Sequence, residues 1–157
     1  MPTITPFLWF DTAGEEAAEF YVSIFPNSKI TRVLRYDDTF ADRAGQVLTV
    51  DFELDGQSYV ALNGGPQFTF SEAVSFMIHC ADQAEVDYYW DKLVDGGEPS
   101  MCGWLKDKFG FSWQVTPDRL PELLSDPDPG RAKRAMAAMM TMVKIDIAAI
   151  EAAADAR

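Results

Sequence analysis

The stretch CGWLKDKFGFSWQVTP, residues Cys102–Pro117, decides the fold. Residues Gly103–Asp107 and Phe111–Thr116 are both rich in aromatic and β-branched residues, a composition typical of short strands. Gly110 lies between them, where a turn needs a flexible backbone. The stretch therefore predicts two strands joined by a turn.

The pattern around this strand pair also occurs earlier in the chain. At an offset of 69 residues Glu16 aligns with Glu85, and at an offset of 54 Gly56-Gln57-Ser58-Tyr59 aligns with Gly110-Phe111-Ser112-Trp113. Such internal similarity predicts a duplicated strand–helix–strands unit. The predicted elements are Ile4–Phe10, Glu15–Phe25, Lys29–Tyr36, Gln46–Leu54 and Ser58–Asn63 in the first half, and Val74–Cys80, Gln83–Val94 and Met101–Thr116 in the second.

The C-terminal part of the sequence predicts helices. Pro117–Ser125 is expected to form a short helical turn, and the run Asp126-Pro127-Asp128-Pro129-Gly130 breaks the chain. Arg131–Ala154 is then predicted to be one long helix. Its apolar stripe consists of Met136, Met139, Met140, Val143, Ile147 and Ile150.

The composition favours a soluble, folded protein. The 157 residues are 48% hydrophobic and carry a net charge of −12, which disfavours nucleic acids and anionic membrane surfaces as partners. No apolar run approaches the roughly 18 residues that a membrane span needs. The N-terminal MPTITPFLWF lacks the basic region of a signal peptide. We therefore expect a cytoplasmic protein without a membrane or nucleic-acid partner.

Few residues offer catalytic chemistry. His79 is the only histidine, so a two-histidine metal site is excluded, but His79 could act as a general acid or base, or could be a polar strand-end residue. Cys80 and Cys102 form no disulfide framework. Cys102 is either a reactive thiol near lysines or a small buried side chain. Trp104 shares its predicted strand face with Cys102 and Lys106, a mixed set more typical of a cavity mouth than of a core.

Four segments resemble one protein family over essentially the whole chain. They are Pro6–Ser28, Val50–Pro66, Cys102–Pro117 and Leu120–Asp128. These residues resemble the PhnB-like proteins, often described as 3-demethylubiquinone-9 3-methyltransferase domains, in the glyoxalase/bleomycin-resistance (vicinal oxygen chelate) superfamily. The resemblance implies an α+β fold of two βαβββ modules, each curling into a partial barrel, in a homodimer. It implies one domain over 1–157, with module 1 at about 1–66, module 2 at about 72–125 and a C-terminal helix at about 131–154.

The superfamily's metal site is not expected here. Its four ligand positions, on the first and last strands of each module, correspond by the resemblance to Pro6, Val60, Ser75 and Gln114. Only Gln114 offers a suitable oxygen, whereas a divalent ion needs three or more such donors. The chain also lacks the glycine-rich loop after a first parallel strand that S-adenosylmethionine enzymes commonly have. We therefore predict no metal and no cofactor.

The predicted ligand site lies on one strand surface. We expect this surface to consist of Leu8, Phe10, Val60, Leu62, Met77, His79, Ser112 and Gln114. The resemblance implies that shortened loops at 38–45 and 98–101 rim the cavity. The predicted ligand-binding residues are Phe10 and Trp104, which would stack on the ligand, with Ser112 and Gln114.

Three functions remain open from the sequence. The first is a metal-independent protein that binds a small aromatic or quinone-like molecule. The second is an enzyme on such a compound, with His79 as the catalytic acid–base group. The third is a dimeric structural protein whose cavity is filled by its own side chains.

Overall fold

The computed structural model describes residues 1–156 and confirms an α+β protein of two βαβββ units. The first compact unit is Met1–Phe70, and the second begins at Ser71. The first contains β1 (Phe7–Phe10), α1 (Gly14–Ile24), β2 (Lys29–Arg35), β3 (Val47–Leu54) and β4 (Gln57–Asn63). The second contains β5 (Ser75–Cys80), α2 (Gln83–Val94), β6 (Glu98–Pro99), β7 (Trp104–Lys106), β8 (Ser112–Pro117), α3 (Arg119–Leu124), α4 (Pro129–Met139) and α5 (Ile147–Asp155).

Each unit holds one four-stranded sheet with the same topology. The strand orders are β1-β4-β3-β2 and β5-β8-β7-β6. The first strand of each unit pairs in parallel with the last, and the other pairs are antiparallel. The two-residue strand β6 was not expected from the sequence, because Glu and Pro are poor strand formers.

One face of the first sheet is covered by α1. Leu8 and Phe10 of β1 are in register with Ala61 and Asn63 of β4. A Cβ added to Gly14, the first residue of α1, would lie 3.3 Å from the Cβ of Ala61 and 2.6 Å from Oδ1 of Asn63. Glycine is therefore required where the helix meets this face, and Leu8 and Phe10 are buried beneath the helix.

The opposite face of the first sheet carries Val60 and Leu62, which are in register with Phe7 and Trp9. The prediction that Leu8 and Phe10 share a face with Val60 and Leu62 is therefore wrong. Alternate residues of a strand point to opposite faces, so an error of one residue in β1 moves every side chain to the other side.

The error comes from the connection between the first strand and its helix. The buried Tyr21 of α1 corresponds to the buried Trp90 of α2, which is the expected offset of 69. The first strands have a different offset. Phe7 pairs with Val60 and Met77 pairs with Gln114, so Met77 is the counterpart of Phe7 and the offset between them is 70. Residues 11–13 join β1 to α1, but only residues 81–82 join β5 to α2. An offset taken from the helices therefore fails for the strands.

The second sheet separates apolar and polar faces. The side of α2 carries Phe76, Ile78, Cys80, Leu105, Trp113 and Val115. The opposite, helix-free face carries Ser75, Met77, His79, Trp104, Lys106, Ser112, Gln114 and Thr116. The strand alternation thus brings the site residues predicted for the second module to one face.

The C-terminal region forms two helices, so the prediction of one continuous helix over Arg131–Ala154 is wrong. The chain leaves helical structure between Met139 and Ile147. Gln83 of α2 fixes this break, since its Nε2 donates to the carbonyl of Ile145 and its Oε1 accepts from the amide of Ile147, both at 2.9 Å. Asp146 then caps α5 by accepting from the amide of Ala149 at 3.0 Å.

These helices have a small core of their own in the second unit. It consists of Leu120, Leu123, Ala135, Ile145, Ile150 and Ala154. The backbone amides of Cys102 and Gly103 donate to the carbonyls of Met142 and Val143, both at 2.8 Å. The segment between α4 and α5 is thus tied to the residues that precede β7. Within residues 1–156, no helix is both long and apolar enough to cross a membrane.

Candidate functional site

A small pocket opens on the helix-free face of the second unit. Its volume is about 160 Å³. Trp104 and Ser112, two of the predicted ligand-binding residues, lie in its wall. The remaining lining residues are Glu72, Glu98, Pro99, Ser100, Leu105 and Lys106. Residues 98–100 belong to one of the two loops that were expected to rim a cavity.

The hydroxyl of Ser112 has no partner. Ser112 is 1% exposed, and its Oγ is buried without a hydrogen bond to any described residue. Its neighbours on the adjacent strands are Ser75 and Lys106. A buried polar group without a hydrogen bond costs about 1–3 kcal/mol, so such groups are rare and often mark a functional site.

Lys106 places a cation at the same pocket. Its Nζ lies 2.5 Å from Oε1 of Glu72. The hydrogen bond from Lys106 lowers the pKa of Glu72 below its ordinary value, and the same bond raises the pKa of Lys106. Both groups are therefore charged at neutral pH, and the ammonium is held beside the pocket by an exposed carboxylate.

Gln114 lies on the same face but does not line the pocket. Its Nε2 donates to Oγ of Ser75 at 2.8 Å, and this bond links the neighbouring strands β5 and β8. Trp104 is its partner across β7 and β8. Gln114 therefore supports the wall that carries Trp104, and direct contact with a ligand stays a prediction.

The residues at the inherited metal positions do not fit a metal. Extended to the two residues before β1, the strand offset of 70 makes Thr5, rather than Pro6, the counterpart of Ser75, and the last-strand positions remain Val60 and Gln114. These side chains offer two hydroxyls, one hydrocarbon and one amide, and the amide of Gln114 is bonded to Ser75. Within residues 1–156, no group of three His, Cys, Asp or Glu side chains could hold an ion. A divalent ion prefers carboxylate or imidazole ligands, which this set lacks.

His79 lies apart from the pocket. It is in register with Thr116, four residues along β8 from Ser112. At about 3.3 Å per residue the two positions are roughly 13 Å apart. The His79 side chain is 70% exposed, and its Nδ1 is 3.7 Å from Oδ1 of Asp118, too far for a hydrogen bond. The structure does not bring His79 together with Trp104 and Ser112, and its catalytic role stays a prediction.

Phe10 is placed differently from the other predicted ligand-binding residues. It belongs to the first unit, lies on the side of α1, and is 5% exposed. Its ring makes an edge-to-face contact with Phe70, with centroids 5.2 Å apart. This surrounding is that of a core residue, and its predicted stacking on a ligand is not supported by its position.

Sequence reasoning missed the residue that shapes the strand turn beside the pocket. Asp107 is 2% exposed and accepts hydrogen bonds from the amides of Phe109 and Phe111 and from Nε1 of Trp113, at 2.9, 3.1 and 2.8 Å. The sequence did contain a signal for this role: Asp107 stands at the start of the turn that precedes a strand. Asp107 fixes the start of β8, and thereby the position of Ser112.

Comparison with known proteins gives one family. The sequence model of the family described as 3-demethylubiquinone-9 3-methyltransferase matches residues 2–116. A PhnB protein from Bacillus cereus is 35% identical, with a TM-score of 0.67, over 74% of this chain and 99% of its own. No curated protein matches the sequence.

More distant structures show the same fold. A protein from Pseudomonas aeruginosa is 20% identical, with a TM-score of 0.63, over 74% of this chain and 98% of its own. The fosfomycin resistance protein FosX from Listeria monocytogenes is 18% identical, with a TM-score of 0.53, over 79% and 97%. The chain therefore belongs to the PhnB-like, or 3-demethylubiquinone-9 3-methyltransferase, family.

Proposed function

We propose that this protein binds a single-ring aromatic or quinone-like molecule at the pocket of the second unit, without a catalytic metal. The observation that carries the proposal is the buried, unpartnered hydroxyl of Ser112 in the pocket wall. A ligand oxygen within reach would give this hydroxyl its missing hydrogen bond, and the cost of burying it would then be recovered on binding.

The chemistry around Ser112 suits this ligand class. Trp104 is half-buried in the same wall and offers an aromatic surface on which a ring can stack. Lys106 adds a cation that can donate to a carbonyl or phenolate oxygen. A hydroxyl, an ammonium and an indole together complement a ring that carries oxygen atoms. The family description, which names a demethylated ubiquinone, agrees with this class.

The volume limits the size of the ligand. Pockets for drug-sized ligands begin at about 300 Å³, and this pocket holds about 160 Å³. It can take one ring or one polar end of a molecule, with the remainder on the exposed part of the face. We therefore expect binding to be modest for isolated rings.

The test is a titration with tetramethyl-1,4-benzoquinone, whose fully substituted ring resists thiol addition, followed by NMR at the indole N–H of Trp104. We expect saturable shifts in the wild type. Ser112→Ala should weaken binding about fivefold, the value of one hydrogen bond of about 1 kcal/mol.

Ser58→Ala is the matched control. Ser58 pairs with Glu53 as Ser112 pairs with Lys106, but Ser58 is exposed and belongs to the first unit. Its substitution should leave the affinity unchanged. Equal affinities for the wild type and Ser112→Ala, or no movement of the Trp104 signal, would contradict the proposal.

A further inference from the structure

A larger cleft lies in the first unit. Its volume is about 470 Å³, within the range of small-molecule sites. It lies where β1 ends and α1 begins, beside the hairpin that joins β2 to β3. Its wall consists of Asp11, Thr12, Glu15, Tyr36, Arg43, Gln46, Val47, Asn63 and Gly65. Val47 is the single aliphatic side chain in this set, and most of the other lining side chains carry polar or charged groups.

Arg43 is held in this cleft by neutral groups. Its Nη1 donates to the hydroxyl of Tyr36 at 3.3 Å, and its guanidinium carbon lies 5.6 Å from the centre of the Tyr36 ring. Tyr36 is fixed in turn, because its hydroxyl donates to the carbonyl of Asn63 at 2.5 Å. A Cβ on Gly65 would lie 2.6 Å from Oε1 of Gln67 and 3.2 Å from Nη2 of Arg43, so the glycine allows close packing at this wall of the cleft.

The charge of Arg43 is not neutralised by the protein. Among residues 1–156, the ion pairs of arginine involve Arg32, Arg119 and Arg131, and Arg43 takes part in none. Among the same residues, Arg35 and Arg134 also lack a carboxylate partner, but each donates to a backbone carbonyl, of Gly45 and Ala154, whereas Arg43 donates to the Tyr36 hydroxyl in the cleft. A guanidinium fixed by one hydrogen bond and one aromatic ring retains further N–H donors for a carboxylate.

Two carboxylates share the cleft with this cation. Asp11 follows β1, and Glu15 lies in the first turn of α1. Neither forms an ion pair with a lysine or arginine of the described chain. The cleft therefore presents one positive and two negative groups, and these can bind a ligand that carries one negative and two positive charges.

We propose that this cleft binds a small zwitterion of the amino-acid class, with its carboxylate on Arg43 and its ammonium groups on Asp11 and Glu15. The planar guanidinium can bind a carboxylate through two parallel hydrogen bonds, which an ammonium cannot do. A basic amino acid, which has one carboxylate and two ammonium groups, matches the charges of the cleft. Thr12 and Gln46 supply further hydrogen-bonding groups. The site is distinct from the pocket at Ser112, and either can exist without the other.

The cleft contains its own spectroscopic reporter. Nε1 of Trp9 donates to the carbonyl of Gly65 at 2.9 Å, so its indole N–H signal reports on the cleft wall. The Trp104 signal reports on the other site. Titration with L-lysine should move the Trp9 signal and leave the Trp104 signal in place.

Two analogues of lysine separate the contributions of the charges. Cadaverine lacks the carboxylate, and hexanoate lacks both ammonium groups. We expect each to bind at least about tenfold more weakly than L-lysine, since each loses charge-assisted hydrogen bonds. Equal affinities for lysine and cadaverine would show that Arg43 does not bind the carboxylate of lysine, and would overturn the proposal.

Matched variants test the residues directly. Arg43→Gln should weaken lysine binding about tenfold or more, whereas Arg35→Gln should not, because Arg35 donates to the carbonyl of Gly45 and does not line the cleft. Glu15→Gln should weaken binding, and Glu16→Gln, its neighbour on α1 outside the cleft, should not. Glu15 and Glu16 both lie in the first turn of α1, so their substitutions remove the same helix-end charge, and this pair remains informative if Arg43→Gln lowers stability. Failure of lysine to move the Trp9 signal, or equal losses within both pairs, would refute the site.

Discussion

The two units share a backbone plan, yet their helix-free faces differ in chemistry. Strand register relates four positions on these faces, and in each pair the residue of the first unit is given first: Phe7 and Met77, Asp51 and Trp104, Ser58 and Ser112, and Val60 and Gln114. In the first unit Asp51 forms an ion pair with Arg32 at 3.3 Å, and Ser58 is exposed. In the second unit an indole and a buried hydroxyl occupy these positions.

The turns that precede the last strands also differ. Leu54 pairs with Gln57, so Asp55-Gly56 is a two-residue turn in which both residues have positive φ, 47° and 82°. Such a turn is stabilised by its own backbone. The second unit has five residues between Lys106 and Ser112, and the side chain of Asp107 supplies the bonds that the backbone does not. The duplicated fold thus tolerates a different turn, and each unit has a pocket on this face, of about 260 Å³ beside Ser58 and about 160 Å³ beside Ser112.

The largest expected effect concerns these two turns. Asp107→Ala should lower the free energy of unfolding by about 3 kcal/mol, because it leaves two buried amide or indole donors and one half-buried amide without their acceptor. Urea denaturation would measure it. Asp55→Ala is the control, with an expected loss of no more than about 1–2 kcal/mol from the positive φ. Equal losses would show that the side chain of Asp107 is not what holds the longer turn.

A smaller effect, of opposite sign, is expected at the two serines. Ser112→Ala should raise the free energy of unfolding by about 1 kcal/mol, because it removes a buried hydroxyl that has no hydrogen bond. Ser58→Ala should change it by less than about 0.5 kcal/mol, as is usual at exposed positions. Calorimetry of the ligand-free proteins would measure both. A loss of stability in Ser112→Ala would show that the hydroxyl does have a partner.

The smallest effect at neutral pH concerns the end of the first strand. Cys80 corresponds to Phe10, and burial raises the pKa of its thiol to about 12. The folded state thus keeps its proton when the unfolded state loses it. The buried thiol therefore contributes to the free energy of unfolding. This contribution is complete below a pH of about 9, the ordinary pKa of a thiol, and is lost as the pH rises towards 12.

Alkylation would check this difference. At pH 8 iodoacetamide should modify the half-buried Cys102 and leave Cys80 untouched until the protein unfolds. Peptide mass analysis would locate the label. Modification of Cys80 at the rate of Cys102 would mean that the end of β5 opens readily, unlike the buried end of β1.

Much of the fold was predictable because periodicity is a local property. α2 has the predicted bounds, Gln83–Val94, and α1 differs by one residue at each end. The placement of Trp104 and Ser112 on one face of the sheet followed from alternation along two adjacent strands. The face on which Phe10 lies could not be predicted in this way. It depends on how many residues join β1 to α1, and one residue more or less moves the side chain to the other face.

The candidate site was predicted only in part for a similar reason. Aromatic and polar residues in β7 and β8 indicated Trp104 and Ser112, but nothing local indicated that Arg43 would stack on Tyr36 beside Asp11 and Glu15. These residues come from separate segments of the first unit. A cleft of this kind exists only after the hairpin has closed on the end of the sheet.

The sequence by itself determined the duplicated strand–helix–strands pattern and the bounds of α2, since each follows from residue type and spacing. Tertiary structure alone decided the face of β1, the break between α4 and α5 imposed by Gln83, and the burial of Ser112 without a partner. These features depend on contacts between residues distant in sequence, and free energies of such contacts override local preference.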